Sequence, residues 1–377
     1  MKVLLGGIPL GCNNIGDEAI VGCVVSMLKS SLPDASITVA TADPATAERL
    51  GVAVVPPYGF RDVPVEGFAD VVARHDAYIW CGATGLSDYP DVALDLLESA
   101  QHEGVGTYIW GVGMDDELNP VFFRAHGKRL ALLRCFGLVG HYERSLREKL
   151  ARRIARILPR CRGVWLRDSQ SARMLASLGF AGAKVAADTA ILQKGGSGKA
   201  EESSPPGSGD SPLTLGLCIS TQRQVSDIEG LRRFLATMRA ENVRVVGIPM
   251  NTKTDRELLG ELGVECIEGL SPEDVVDAAA KCGAVLTSRL HLLILAANGG
   301  TRGFGIARGS KLANWLSNFG LSVEGSVYDC DWDLVAEHVL AALRSRGDWD
   351  EVRRTAYEKL DARLEKARGE LVEMLAK

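Results

Sequence analysis

Short, wholly apolar runs separated by amphipathic stretches fill the first half of the chain, and this alternation restricts the fold more than any other feature. The runs KVLLGGI, ITVATA, AVVPPY, AYIWCG, TYIWGVG, GVWLRD and AKVAAD have the length and the β-branched and aromatic content of strands. Between most of them lie segments such as DEAIVGCVVSMLKSSL and DVALDLLESAQHEG, with apolar residues at helical spacing. A strand apolar on both faces must be covered on both faces, so the pattern predicts a parallel sheet flanked by helices.

The alternation stops at Gly195 to Pro212, GGSGKAEESSPPGSGDSP, and resumes with LTLGLCIS, VRVVGIPM, AVLTSRL and TRGFGIA. A stretch rich in Gly, Ser and Pro without periodicity reads as a flexible linker. The length of 377 residues exceeds what one core supports. The expected fold class is therefore α/β, with two Rossmann-like parallel-sheet domains facing across a cleft. Their expected bounds are 1–194, a linker at 195–212, and 213–346. Residues 347–377 read as one helix packing across the domains, with Leu360, Leu364, Leu371 and Met374 or Leu375 at helical spacing.

Composition removes several function classes. The net charge of −5 gives no general attraction to polyanions, so no nucleic-acid partner is expected. The 9 cysteines are scattered with no CxxC pair, which suggests reduced thiols in the cytoplasm and neither a disulfide framework nor a zinc site. The run HLLILAANGG is too short to span a bilayer, and MKVLLGGIPLGCNN reads as a first strand, not a signal peptide. The basic stretch ERSLREKLARRIARILPRCR has Leu146, Leu150, Ile154 and Ile157 or Leu158 on one stripe. Such a helix either lies on an anionic membrane as a peripheral contact or is an ordinary surface helix with a buried stripe.

In open α/β sheets ligands bind beyond the carboxyl ends of strands, so polar residues at strand exits are the candidates. The chain has no GxxxxGK[ST], no GxGxxG after the first strand and no HExxH, so neither a P-loop, the common dinucleotide site nor a protein-held metal is expected. At the first exit, PLGCNNIGDEAI, Asn14 and Gly16 suit a tight turn while Asp17 and Glu18 sit where a helix begins. They either cap that helix or hydrogen-bond a neutral polyol. The exit WCGATGLSDYP offers Thr84 in a glycine-containing turn. In GVWLRDSQSARMLASLG, Asp168 or Ser169 suits an N-cap, and the Arg167 guanidinium must find an anion or carbonyls. In LTSRLHLLILAANGG, Arg289 and His291 fall at the junction of an apolar strand and an apolar helix. Arg289 pairs there either with a carboxylate from a neighbouring helix or with an anionic ligand at the helix N-terminus. In GIARGSKLANWL, Lys311 opens another helix and is a second candidate anion contact.

The order of NNIGDEAI, GVWLRDSQSARMLASLG, VAADTAI, VVGIPMNTKTD, LTSRLHLLILAANGG and GFGIARGSK resembles the polysaccharide pyruvyl transferase family over most of the chain. The resemblance implies a glycosyltransferase-B-like fold, with an acceptor-side first domain and a donor-side second domain. It further implies transfer of the enolpyruvyl group of phosphoenolpyruvate to a sugar, oligosaccharide or lipid-linked sugar, usually as a ketal. No cofactor is implied beyond phosphoenolpyruvate as co-substrate. His291 and Arg289 would then be the catalytic pair, with Arg167, Ser288 and Lys311 on the donor. Asn14, Asp17, Glu18 and Thr84 would face the acceptor. The chain departs from the family pattern at CGATG and GVGMDDE, where an acceptor would bind. A nucleotide-sugar glycosyltransferase and a non-catalytic member of the same fold are the two other readings.

Overall fold

The apolar runs form parallel strands, as burial on both faces requires. The computed structural model describes residues 1–196, 213–220, 225–345 and 347–377, and the chain divides into two compact units.

The first unit comprises Met1–Cys12, Ile20–Thr189 and Ala362–Lys377. Its strands are β1 (Lys2–Gly6), β2 (Ser36–Ala40), β3 (Ala53–Val55), β4 (Ala77–Cys81), β5 (Gly106–Val112), β6 (Gly163–Leu166) and β7 (Lys184–Val185). They form one parallel sheet in the order β3-β2-β1-β4-β5-β6-β7, with β4 and β5 buried at every position. Trp80, Trp110 and Trp165 fill its faces, and the indoles of the last two find polar partners. Trp110 Nε1 donates to Thr189 Oγ1 at 2.9 Å, and Trp165 Nε1 donates to Glu370 Oε2 at 3.0 Å. Lys184 Nζ reaches the same carboxylate at 2.8 Å, and Leu364, Leu371 and Leu375 are buried, so the last residues of the chain belong to this core.

The second unit comprises Asn13–Ala19 and Ala190–Asp361. Strands β8 (Thr214–Cys218), β9 (Arg244–Gly247), β10 (Glu265–Cys266), β11 (Ala284–Thr287), β12 (Arg302–Ala307) and β13 (Gly325–Ser326) form a parallel sheet in the order β10-β9-β8-β11-β12-β13. Trp349 Nε1 donates to the Gly300 carbonyl at 2.9 Å, and Tyr357 packs edge-on to Trp315.

The division interleaves the chain where contiguous bounds at 194 and 346 were expected. Residues 13–19 join the second unit because their backbone pairs there. Asn14 forms an antiparallel bridge with Asn251, Ile15 N donates to Met250 O at 2.9 Å, and Thr252 N donates to Asn13 O at 3.1 Å. The expected linker lies outside the described residues from 197 to 212, and Gly195 and Gly196 continue the second unit. The basic amphipathic stretch forms the Val139–Ile157 helix, which buries Leu150, Ile154 and Ile157. Its Arg153 meets Asp91 and Asp95, both at 2.5 Å, and its Arg156 meets Glu98 at 2.8 Å. The helix thus has the expected buried stripe, and these two cations are answered by the Pro90–His102 helix. Among the described residues, no helix is long and apolar enough to cross a membrane.

Candidate active site

In the second unit the strand order reverses between β8 and β11, so the loops leaving their carboxyl ends run apart and open a crevice. The residues there are tied together first. Thr287 Oγ1 donates to the Cys218 carbonyl at 2.8 Å and accepts from the Arg289 amide at 2.9 Å. The Ser220 amide donates to Ser288 Oγ at 2.8 Å. Ser288 is buried and its hydroxyl oxygen is engaged by backbone, so it holds the two loops together.

Arg289 caps the Leu290–Asn298 helix with extended backbone and no side-chain cap, which leaves the first amides of that helix without a side-chain acceptor from Arg289. Its guanidinium meets a carboxylate from a neighbouring helix. Nε donates to Asp255 Oδ2 at 3.1 Å and Nη2 to Asp255 Oδ1 at 2.5 Å. Asp255, in the Thr254–Glu261 helix, is fully buried and also accepts from the Asn251 amide at 2.8 Å and the Cys218 thiol at 3.4 Å. Burial works against the Arg289 charge, yet Asp255 more than offsets it and holds the guanidinium above its ordinary pKa. Burial and then Asp255 push the Cys218 thiol well up, which removes it as a nucleophile. Arg289 Nη1 has no hydrogen-bond partner among the described residues, so one edge of the fork remains for a ligand.

The loop after β1 supplies the rest. Asn13 takes a left-handed conformation, with φ at 62°. Asn14 Oδ1 accepts from the Gly16 amide at 3.2 Å, and its Nδ2 donates to Asp17 Oδ2 at 2.8 Å. The imidazole of His291 lies against Gly16, where a Cβ would come within 2.2 Å of Nδ1. Asp17 is buried, and desolvation raises its carboxyl from 3.8 to about 6, although His291, the Asn14 hydrogen bond and Arg289 all pull it down. Asn14 and Asp17 therefore sit with His291 in the second unit. Half-buried Glu18 follows them in the same segment.

Lys311 is the second residue of the Ser310–Leu316 helix beyond β12 and is half-buried. Sequence reasoning missed two groups at this crevice. Asp255 stands at the start of a helix after β9, where an acid reads as a dipole complement. Arg308, just after β12, donates from Nη1 to Ser220 Oγ at 3.0 Å.

In the first unit, Arg167 leaves β6 and is 7% exposed. Nε donates to Asp168 Oδ2 at 3.3 Å, Nη1 lies 3.7 Å from Asp188 Oδ2, and Gly113 makes room for Nη2. Nη2 itself is buried without a hydrogen-bond partner among the described residues. Asp168 is also the expected N-cap, accepting from the Ser171 amide at 2.7 Å. Thr84 is buried and donates its hydroxyl to Asp88, so it shapes its own turn.

A two-sheet α/β protein thus gathers a histidine, an acid and an arginine at the switch point of its second sheet, the place where ligands bind in such folds. The family model described as polysaccharide pyruvyl transferase matches residues 14–310, and the chain belongs to that family. No curated protein matches the sequence. Among solved structures, Anabaena HepE, in complex with UDP and glucose, superposes with a TM-score of 0.61 at 12% identity, covering 100% of this chain and 99% of that one. The UDP-GlcNAc 2-epimerase of Neisseria meningitidis gives a TM-score of 0.57 at 12% identity, with 100% of each chain covered. The glycotransferase of kitacinnamycin gives 0.59 at 11% identity, covering 99% and 98%. At these identities the likeness is one of fold: two parallel-sheet α/β domains of glycosyltransferase-B type.

Proposed function

We propose that the chain transfers the enolpyruvyl group of phosphoenolpyruvate to hydroxyls of a sugar, oligosaccharide or lipid-linked sugar, forming a pyruvate ketal and releasing phosphate. The observation that carries this reading is that His291 and the Asp255-paired Arg289 both act on the buried Asp17 carboxyl at the switch point of the second unit. Such a site supplies what the reaction needs, a proton donor beside an anion contact.

In the proposed sequence His291 delivers a proton to the methylene carbon of the donor, and the adjoining carbon becomes oxocarbenium-like. A sugar hydroxyl adds to that carbon and loses its proton to the imidazole. A second hydroxyl then attacks the same carbon, forming the second C–O bond as the bond to phosphate breaks and its proton passes to the departing phosphate. Asp17 orients the imidazole, and Asp255 fixes the Arg289 fork so that Nη1 is offered to a donor oxygen. The N-terminal amides of the Leu290–Asn298 helix add to the same anion contact. Arg167 is assigned a further donor anion on its own evidence, since a buried guanidinium nitrogen without a partner is unfavourable until an anion reaches it.

Phosphate release from phosphoenolpyruvate, across a panel of sugars, nucleotide sugars and lipid-linked sugars, tests the reading. Wild type should release phosphate with at least one acceptor, and His291→Ala should not. Thermal melting adds the discriminating control. Protection by UDP and none by saturating phosphoenolpyruvate would move the chain to nucleotide-sugar chemistry.

A further inference from the structure

Arg153 and Arg156 of the Val139–Ile157 helix pair with acids of the first unit, and the segment preceding that helix has a different surface. The Pro120–Phe123 and Gly127–Cys135 helices contain no buried residue. Val121 (70% exposed), Phe122 (49%), Leu132 (60%), Phe136 (69%) and Leu138 (44%) present large apolar side chains to solvent. Exposed apolar groups clustered in one short stretch mark a surface that meets something. The stretch is nonetheless anchored, because Phe123 packs on the core of the unit and Ala125 is buried.

Charge identifies what it meets. Residues 118–142, LNPVFFRAHGKRLALLRCFGLVGHY, contain Arg124, Lys128, Arg129 and Arg134 and no Asp or Glu, in a chain whose net charge is −5. Arg124 is paired with Glu117 at 2.8 Å. Arg129 donates to the Tyr142 hydroxyl at 2.7 Å and lies over its ring, which fixes the guanidinium without neutralising it. Lys128 and Arg134 are exposed and have no acidic partner among the described residues.

We propose that this segment is a docking surface for an anionic lipid bilayer. Apolar side chains interleaved with unneutralised cations fit the boundary between headgroups and acyl chains, and a helix of this length, about 13 Å, lies in that boundary without spanning it. A second copy of the chain fits poorly, because a two-fold contact would set the same cations against each other. The proposal goes beyond the transferase reading, and the two meet where an acceptor is lipid-linked, since docking places the enzyme on the membrane that carries it.

Vesicle flotation of the full chain tests it. Wild type should float with phosphatidylcholine vesicles containing phosphatidylglycerol, stay behind with phosphatidylcholine alone, and bind less as salt is raised. The double variant Leu132→Glu/Phe136→Glu should lower the bound fraction by about tenfold or more, and Lys128→Glu/Arg134→Glu should do the same. The second pair changes only exposed charges, and circular dichroism should match wild type for both. Wild type that ignores anionic vesicles, or variants that bind as wild type does, would overturn the proposal. So would light scattering that shows a dimer which Leu132→Glu/Phe136→Glu dissolves, assigning the face to a second copy. Vesicle binding is read without the donor, so a failure of the transferase reading leaves this result standing.

Discussion

Replacing Gly16 with alanine isolates what the contact between the first loop and His291 does. The added Cβ would lie 2.2 Å from Nδ1, 2.5 Å from Cγ and 2.8 Å from Cβ of His291. Rotation about χ1 can move the ring away, but it leaves the imidazole's own Cβ where the backbone puts it. The loop or the Leu290–Asn298 helix must therefore shift, and the ring is displaced by about 1 Å from a close-packed position. Two effects on stability oppose each other. Alanine at a helical position gains about 1 kcal/mol over glycine, whereas overpacking costs about 1–3 kcal/mol. The net change should be a loss of about 0–2 kcal/mol. Activity should fall much further, because a misplacement of about 1 Å at a reacting group is worth about 100-fold. Gly22→Ala in the same helix is the control, since its Cβ would meet only Leu50 Cδ2 at an ordinary 3.8 Å. It should stabilise by up to about 1 kcal/mol and leave turnover unchanged. Phosphate release at saturating phosphoenolpyruvate, with urea melts alongside, measures both. Gly16→Ala turning over within about twofold of wild type would refute the placement of His291 against this loop.

The other perturbations act on the buried charges. Because the Asp17 carboxyl is raised from 3.8 to about 6, the folded protein binds this proton more tightly than the unfolded chain, so ionisation weakens folding as pH rises through that window. The effect is absent below the lower value and reaches about 3 kcal/mol near neutral pH, so Asp17→Asn should stabilise at pH 7 and not near pH 4. A stability difference that does not change with pH in urea melts contradicts this, and wild-type turnover should decline as pH falls through about 6. Asp255→Ala leaves the Arg289 charge buried and the Asn251 amide without its acceptor, a loss of about 3–5 kcal/mol. The double replacement Asp255→Leu/Arg289→Met should recover most of that stability but not the activity, and a double variant as unstable as the single one would show that the pair is not coupled. Ser288→Ala should lose about 1–3 kcal/mol by orphaning the Ser220 amide while the KM for phosphoenolpyruvate holds. A raised KM at unchanged stability would return Ser288 to the donor.

The long strands were legible because a parallel strand covered on both faces needs an unbroken apolar run. AYIWC and GTYIWGV are such runs, and every one of their residues is buried. Glu265–Cys266 and Gly325–Ser326 are edge pairings of two residues, held by neighbours without an apolar signature of their own. Candidate residues at strand exits were legible for a similar reason, since polar groups after apolar strands stand out. Their partners were not. Arg289 admitted either a neighbouring carboxylate or a ligand, and only the folded chain brings Asp255 to its fork from 34 residues upstream. Nor does alternation say which sheet a loop will join. Asn14 and Asp17 follow the first strand in sequence, yet backbone pairing with residues 250–252 assigns them to the second unit.

That interleaving governs the order in which the protein can be finished during synthesis. The first unit includes Ala362–Lys377, so its core waits for those residues to leave the ribosome, although most of its sheet is translated far earlier. The second unit requires Asn13–Ala19, which must stay unsatisfied until the strands after residue 213 exist. Neither unit can be cut out as one continuous fragment. Expression of residues 1–194 or 213–346 alone would yield sheets missing a strap each, and a nascent chain stalled before residue 362 would expose an incomplete first core to chaperones and proteases.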